Sequence, residues 1–299
     1  MTKGNIIKRD LSENKTIFRG GYMELEQSII NRFKSYLIEN EKTSTTIEKY
    51  IREVKRLLIF LNNREPTKSL LLEYREILKQ QHKAQTVNSK LSAINSFLYF
   101  SGYNDRKIRF LKVQRKAFIE ANRELTEREY RNLLMQAQRQ GNDRLYYIMM
   151  TICSTGIRIS ELKYITVNAI KCGQTEISLK GKNRTIILPK ELRQKLLIYC
   201  KSKNIQDGYV FQTKNGLALD RSNIWHEMKK LCKTTNIDPN KVFPHNLRHL
   251  FARVFYAVEK NLAHLADILG HSSIETTRIY VGTSISEYER TLRKMKLII

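Results

Sequence analysis

Little in this 299-residue chain interrupts regular structure. It holds four prolines and twelve glycines, which predicts short loops and a high helix content. No run of about 18 apolar residues occurs, so no membrane-spanning helix is expected. The opening MTKGNIIKRDLSENK is charged and polar where a signal peptide needs an apolar stretch, and the expectation is a cytoplasmic protein associated with the nucleoid. The four cysteines, Cys153, Cys172, Cys200 and Cys232, include no Cys-x-x-Cys pair. No zinc site is expected from them, and they read as buried small hydrophobes kept reduced. There is no Gly-x-x-x-x-Gly-Lys loop, which argues against nucleotide hydrolysis. No acidic cluster stands out to hold Mg²⁺, which argues against two-metal nuclease chemistry.

Acidic residues are also scarce. Fifty-four Lys and Arg face 29 Asp and Glu, a net charge of +25 with a pI near 9.9. Residues 1–116 carry 24 basic and 12 acidic side chains, and residues 117–299 carry 30 and 17. A basic tail would concentrate the excess at one end. An even split suggests two domains that both face a polyanion, and DNA or RNA is the obvious candidate. An anionic membrane surface is the weaker alternative, because no long basic amphipathic anchor is apparent.

The chain divides by pattern. Residues 1–22 are polar and read as a flexible arm. Helical periodicity follows over 24–40, 45–61, 67–80 and 85–100, with a capping box at Thr45-x-x-Glu48 and a stop at Gly102. This predicts a small helical domain over residues 23–108. A basic linker over 109–123 comes next, read either as a solvated connection or as a strap across a phosphate backbone. A second domain over 124–299 begins with Thr126 as the cap of a helix over 127–139. Helices are expected over 143–153 and 158–165, then a β-hairpin in 175–189 with Gly181-Lys182-Asn183 as a basic tip. Further helices are expected over 190–202, 220–236, 245–259 and 261–269. Ser272-x-x-Glu275 would cap a helix carrying Tyr280, and an amphipathic tail helix spans 283–299. The fold class is mainly α with one small β-hairpin.

Several side chains suited to an anion sit at element ends in the second domain. Arg158 enters a helix with Glu161 three residues on, near enough to orient its guanidinium. Lys182 sits at the hairpin tip. His245 and Arg248 share the first turn of a helix begun by Pro244, near its positive end. His271 opens the turn before Tyr280. Each also has a plain reading as a surface ion pair or a solvated side chain. His245 and His249 are spaced like the pair on a zinc-protease helix, but Asn246 stands where that motif needs Glu. Together these residues suit metal-free attack on a phosphodiester. Arg158 and Arg248 would hold the non-bridging oxygens, Tyr280 would attack, His245 would take its proton, and Lys182 would protonate the leaving sugar oxygen.

At these positions the chain resembles the tyrosine recombinase (phage integrase) family. Thr-Gly-x-Arg-x-Ser-Glu-Leu at 155–162, His-x-Leu-Arg-His at 245–249 and Leu-Gly-His-Ser-Ser…Thr-Thr-x-x-Tyr at 269–280 are its hallmark boxes, in its order and about its spacing. The stretch 86-TVNSKLSAINSFLYF-100 also looks like the last helices of its core-binding domain. The resemblance implies a helical (SAM-like) core-binding domain and a catalytic domain closing on DNA as a C-shaped clamp. It assigns catalytic roles to Arg158, Lys182, His245, Arg248, His271 and the nucleophile Tyr280, with Glu161 in support. It implies a 3′-phosphotyrosyl intermediate, a Holliday junction, and a tetramer on two DNA sites with inverted-repeat cores. No metal, ATP or other cofactor is expected, while an accessory directionality protein is possible. The tail helix would dock on a neighbouring catalytic domain and switch its tyrosine.

The hairpin departs from the family's pattern, being one residue shorter than its Gly-Lys-Gly-Asn form, so Lys180 is the alternative to Lys182. No separate arm-binding domain precedes the helical one, which makes the chain most like the compact Xer-type recombinases and the short integrases or resolvases of mobile elements. Two other readings compete: a DNA-binding architectural protein without catalysis, and a type IB topoisomerase-like enzyme that nicks and reseals. The DNA site and the choice among integration, resolution and inversion are not encoded in these motifs.

Overall fold

In the computed structural model, residues 22–113, 123–179, 182–271, 273–278 and 280 are described, apart from the side chains of residues 22–26, Leu179 and Lys182. The N-terminal arm up to residue 21, most of the basic linker and the tail helix lie outside the described residues. The chain divides into two compact units, Met1–Arg115 and Lys116–Ile299. Among the described residues no helix is long and apolar enough to cross a membrane.

The described residues of the first unit form four α-helices, α1 Tyr22–Glu39, α2 Ser44–Leu61, α3 Lys68–Gln81 and α4 Ala84–Phe100, followed by a 3₁₀ turn at Asn104–Arg106. Their apolar stripes meet in one core, in which Phe33, Leu37, Val54, Leu57, Leu71, Val87, Leu91, Ile94 and Phe97 are wholly buried. Burying side chains of this size stabilises by about 1.5–3 kcal/mol each before the entropy of ordering is subtracted. Thr67 caps α3 by accepting from Leu70 N–H at 3.4 Å. α4 stops as expected, with Tyr103 N–H bonded back to Leu98 O at 2.8 Å. The expected cap of α2 is corrected. The helix begins at Ser44 with Thr43 extended before it, so Thr45 lies inside the first turn. In a run of four neighbouring Ser and Thr, the Thr46 and Ile47 amides close on the Thr43 carbonyl, and that bond sets the start.

The second unit holds α5 Glu127–Arg139, α6 Asp143–Thr155, α7 Val167–Cys172, β1 Gln174–Leu179, β2 Lys182–Ile187, α8 Lys190–Ser202, α9 Arg221–Cys232, α10 Pro244–Glu259, α11 Leu262–Leu269 and α12 Ile274–Arg278. α6 runs through its core, burying Leu145, Ile148, Met149 and Ile152. Thr126 and Glu129 make the reciprocal cap of α5, which satisfies two otherwise unpaired amides. Three expectations change here. The helix expected over 158–165 is a tighter 3₁₀ segment, Ile159–Tyr164. The Glu161 carboxylate reaches back to Arg158 N–H at 2.8 Å and holds that turn tight. The hairpin pairs Leu179 with Lys182, so Lys182 and Asn183 belong to β2. The tip is therefore not Gly181-Lys182-Asn183. Finally, Cys172 is exposed at the end of the short α7, Cys153 is half-buried, and Cys200 and Cys232 are buried. Not all four thiols are core.

Candidate active site

One helix and two loops converge on Tyr280. α10 supplies His245, Arg248 and His249. Its first turn is anchored by the Asn246 amide, which donates to Arg123 O at 3.1 Å and Lys241 O at 2.6 Å. Pro244 starts the helix because its missing N–H is one the first turn leaves unpaired anyway. Arg158 precedes the 3₁₀ segment that follows α6, and His271 follows α11.

Two glycines make the close approach possible. Gly156 ends α6 at φ +64°, and a Cβ there would sit 2.4 Å from the Phe251 ring on α10. Gly270 ends α11 at φ +61°, where a Cβ would meet Arg184 Cδ at 2.6 Å. Both positions need the left-handed backbone and the missing side chain together.

Arg248 is wholly buried, the largest fully buried side chain among the described residues. A buried guanidinium must find acceptors. It donates to Gly156 O at 2.5 Å and Leu269 O at 2.7 Å, and contacts His271 Nε2 at 2.9 Å. Because Arg248 can only donate, His271 Nε2 accepts. The His271 proton is then on Nδ1, which donates to Thr277 Oγ1 at 2.9 Å. Burial, with Arg158 beside it, pulls the Arg248 guanidinium down to about 10. Burial and then the charge of Arg248 draw His271 down to about 4, so its ring is neutral.

Tyr280 is 7% exposed. It lies in the turn just past α12, its N–H bonded to Thr277 O at 2.9 Å, and not on the helix expected to carry it. Its hydroxyl is 3.4 Å from His245 Nε2, and its ring lies 5.8 Å from the Arg248 guanidinium carbon. Burial first, then Arg248 and Arg158, lower the His245 pKa, which keeps that imidazole free to accept a proton.

Arg158 is held from two sides. Its guanidinium pairs with Glu161 at 2.9 Å and reaches Gly270 O at 3.5 Å, while its own side chain keeps 40% exposure. Glu161 is buried and also meets Arg184 at 3.3 Å. Arg158, Glu161, Asn183, Arg184, Gly270 and His271 line one wall of an open cleft of about 1090 Å³. The backbone of Lys182 is in β2, while its side chain and all of Lys180 lie outside the described residues.

The fold thus brings Arg158, Glu161, His245, Arg248, His271 and Tyr280 into one linked group, from segments more than a hundred residues apart. Sequence reasoning missed two neighbours. His249 lies flat on the Tyr280 ring, centroids 4.1 Å apart and planes 10° from parallel. In the sequence it stands out only through its zinc-motif spacing from His245. Arg184 is buried in the same cluster, and its signal was the period of β2, in which it runs in phase with buried Ile186 and Leu188.

Comparison with known proteins agrees with this geometry. Residues 123–286, more than half of the chain, match the phage integrase family, and residues 30–101 match the N-terminal SAM-like domain of phage integrases. The chain is similar to the tyrosine recombinase XerA of Thermococcus kodakarensis, with 25% identity over 92% of this chain and 98% of the relative. It is also similar to the TnP I resolvase of Bacillus thuringiensis, with 26% identity over 85% of this chain and 95% of that one. In fold it is similar to a lambda integrase dimer bound to a core site, with a TM-score of 0.68 and 17% identity over 85% of this chain and 94% of that chain. By the family match, this chain belongs to the phage integrase family and is a site-specific tyrosine recombinase, an enzyme that cleaves and rejoins DNA.

Proposed function

We propose that Tyr280 is the nucleophile of a reaction that exchanges DNA strands through a 3′-phosphotyrosyl intermediate and a Holliday junction. The observation that carries this reading is the Tyr280 hydroxyl, 3.4 Å from a neutral His245 and beside buried Arg248. In the first step the tyrosine oxygen attacks phosphorus and its proton passes to His245. The bond from phosphorus to the 5′ oxygen breaks, and that oxygen takes a proton from a hairpin lysine. Charge gathering on the non-bridging oxygens is met by Arg158 and Arg248, which need no reorganisation because Glu161, Leu269 O and His271 already orient them. The freed 5′ hydroxyl of a partner strand then reverses the chemistry, so the bond energy is conserved in the covalent intermediate.

The lysine is Lys182 or Lys180. Both belong in the test, because the register places Lys182 inside β2, paired with Leu179, and Lys180 lies within two residues of it in the chain. The substrate of this proposal is double-stranded DNA with inverted-repeat core sites, bound by two protomers per site and four per synapse, with both units closing around it. The biological outcome is integration and excision of a mobile element or Xer-like resolution. An accessory protein setting direction is compatible with either.

The test is an SDS-resistant adduct on nicked suicide duplexes drawn from DNA flanking the gene. Wild type should form it and Tyr280→Phe should not. An adduct that persists in Tyr280→Phe assigns the attack to another residue. Specific binding without any adduct favours the architectural reading.

A further inference from the structure

Three guanidiniums meet at the corner where α11 turns into His271. Arg248 and Arg184 both donate to Leu269 O, each at 2.7 Å, and Arg158 reaches Gly270 O at 3.5 Å. One carboxylate, Glu161, 2% exposed at its side chain, serves two of them, Arg158 at 2.9 Å and Arg184 at 3.3 Å. Arg184 is the member of this group to which the recombination chemistry gives no role. Its side chain is 7% exposed, and it reaches the corner across Gly270, where any Cβ would displace it. Its Nε and NH2 are buried and find no acceptor among the described residues.

Burying a guanidinium with donors left over is costly, and a surface hairpin offers many cheaper places for an arginine. We propose that Arg184 is a positioning residue for strand cleavage: it fixes Arg158 through their shared Glu161 carboxylate, and fixes the corner carrying His271 through the Leu269 carbonyl. It therefore couples the hairpin to both phosphate-facing arginines. Without it, Glu161 keeps only the N–H and the guanidinium of Arg158, with nothing tying that pair to the hairpin, and Leu269 O is held by Arg248 alone. Direction matters as well as charge, because both contacts come from one terminal nitrogen, NH1, which the rigid planar guanidinium aims at the carboxylate and the carbonyl together. A lysine ammonium at this position turns on a flexible stem and lacks that fixed direction.

This inference rests on the cleavage reading above, and two arms separate its failure from that one. The first arm uses the full chain without DNA and follows the His271 ring by NMR titration in wild type, Arg184→Lys and Arg184→Ala. If Arg184 holds the corner by geometry, the His271 pKa rises in both variants, including the one that keeps the positive charge. No change in either variant, or a rise in Arg184→Ala alone, overturns the corner role.

The second arm uses the suicide duplex cut by wild type, with an ordinary or a methylphosphonate group at the scissile position. The methyl group removes the charge that Arg158 is there to meet. Arg184→Ala should bind the duplex as wild type does and cleave it on the order of 10- to 100-fold more slowly, the scale of a misplaced reactive group. The deficit should shrink on methylphosphonate, and Arg158→Ala should add little to it. Wild-type cleavage by Arg184→Ala overturns the proposal. So does an equal deficit on both substrates, or a loss that multiplies with that of Arg158→Ala. If wild type itself forms no adduct, the cleavage reading has failed, and the first arm alone judges Arg184.

Discussion

Three imidazoles surround the ring of Tyr280, from His245, His249 and His271, with centroids at 5.4, 4.1 and 4.8 Å. Their neutrality is a consequence of burial beside arginines, and it has a direction with pH. His245 titrates below its ordinary 6.5. A base of this kind is available at neutral pH and is lost as pH falls through its lowered pKa. Single-turnover cleavage should therefore hold from neutral pH through the ordinary histidine value and fall only at lower pH. His245→Gln should be slower and show a flatter acid limb; an unchanged limb would remove His245 as the base. His249 is drawn down to about 3, first by burial, then by His245 and by the guanidiniums of Arg253 and Arg248. The unfolded chain takes up this proton first, so folding stability is full above about 6.5 and declines as pH falls toward 3, by up to ~1.4 kcal/mol per pH unit. His249→Phe keeps a flat ring against Tyr280 and should reduce that slope in urea unfolding measured across this range.

At the scale of elements, α2 and α4 are joined by more than their apolar stripes. Lys90 on α4 donates to Glu53 on α2 at 2.6 Å, with both side chains under 10% exposed. Burial alone would raise the Glu53 carboxyl, but Lys90 and Arg56 hold it below its usual range. Lys90→Met leaves a buried carboxylate with partners only at its exposed edge. It should cost about 3 kcal/mol or more, and Glu53→Gln added to it should recover most of the loss. Equal stability of Lys90→Met and wild type in urea would mean that the pair contributes nothing. In the second unit, the register of β1 with β2 puts Lys182 within a strand, paired with Leu179. The lysine that protonates the leaving oxygen can be found with a 5′-bridging phosphorothiolate, whose thiolate departs without an acid. Of Lys180→Ala and Lys182→Ala, the one that is slow on ordinary DNA and restored on this substrate names the acid.

For the whole molecule the dominant fact is +25, shared evenly between the two halves. Binding through both should release counterions along the duplex. With six or more phosphate contacts, affinity should fall on the order of a thousandfold between about 50 and 200 mM salt. A shallow salt slope would mean that one half stays off the DNA. Counting protomers on a single site by analytical ultracentrifugation separates strand exchange from nicking and resealing. Two protomers on one inverted repeat are expected, whereas a lone protomer that relaxes supercoils would favour the topoisomerase-like reading.

What the sequence determined by itself was local or periodic. The stripes of the first four helices, the cap at Thr126, the stop at Gly102 and the three motif boxes around Arg158, Arg248 and Tyr280 all depend on neighbours within a few residues. Their physics, helical period and capping, is written in short windows. Tertiary structure alone decided which charges are buried and what they meet. Arg184 pairs with Glu161 and the Leu269 carbonyl across 23 and 85 residues of chain, His249 finds Tyr280 across 31, and Lys90 finds Glu53 across 37. A charged side chain reads as surface in any local window. It becomes a buried strut only when distant elements supply its acceptors; the period of β2 marks the face on which Arg184 sits, and no local pattern names the groups it meets there.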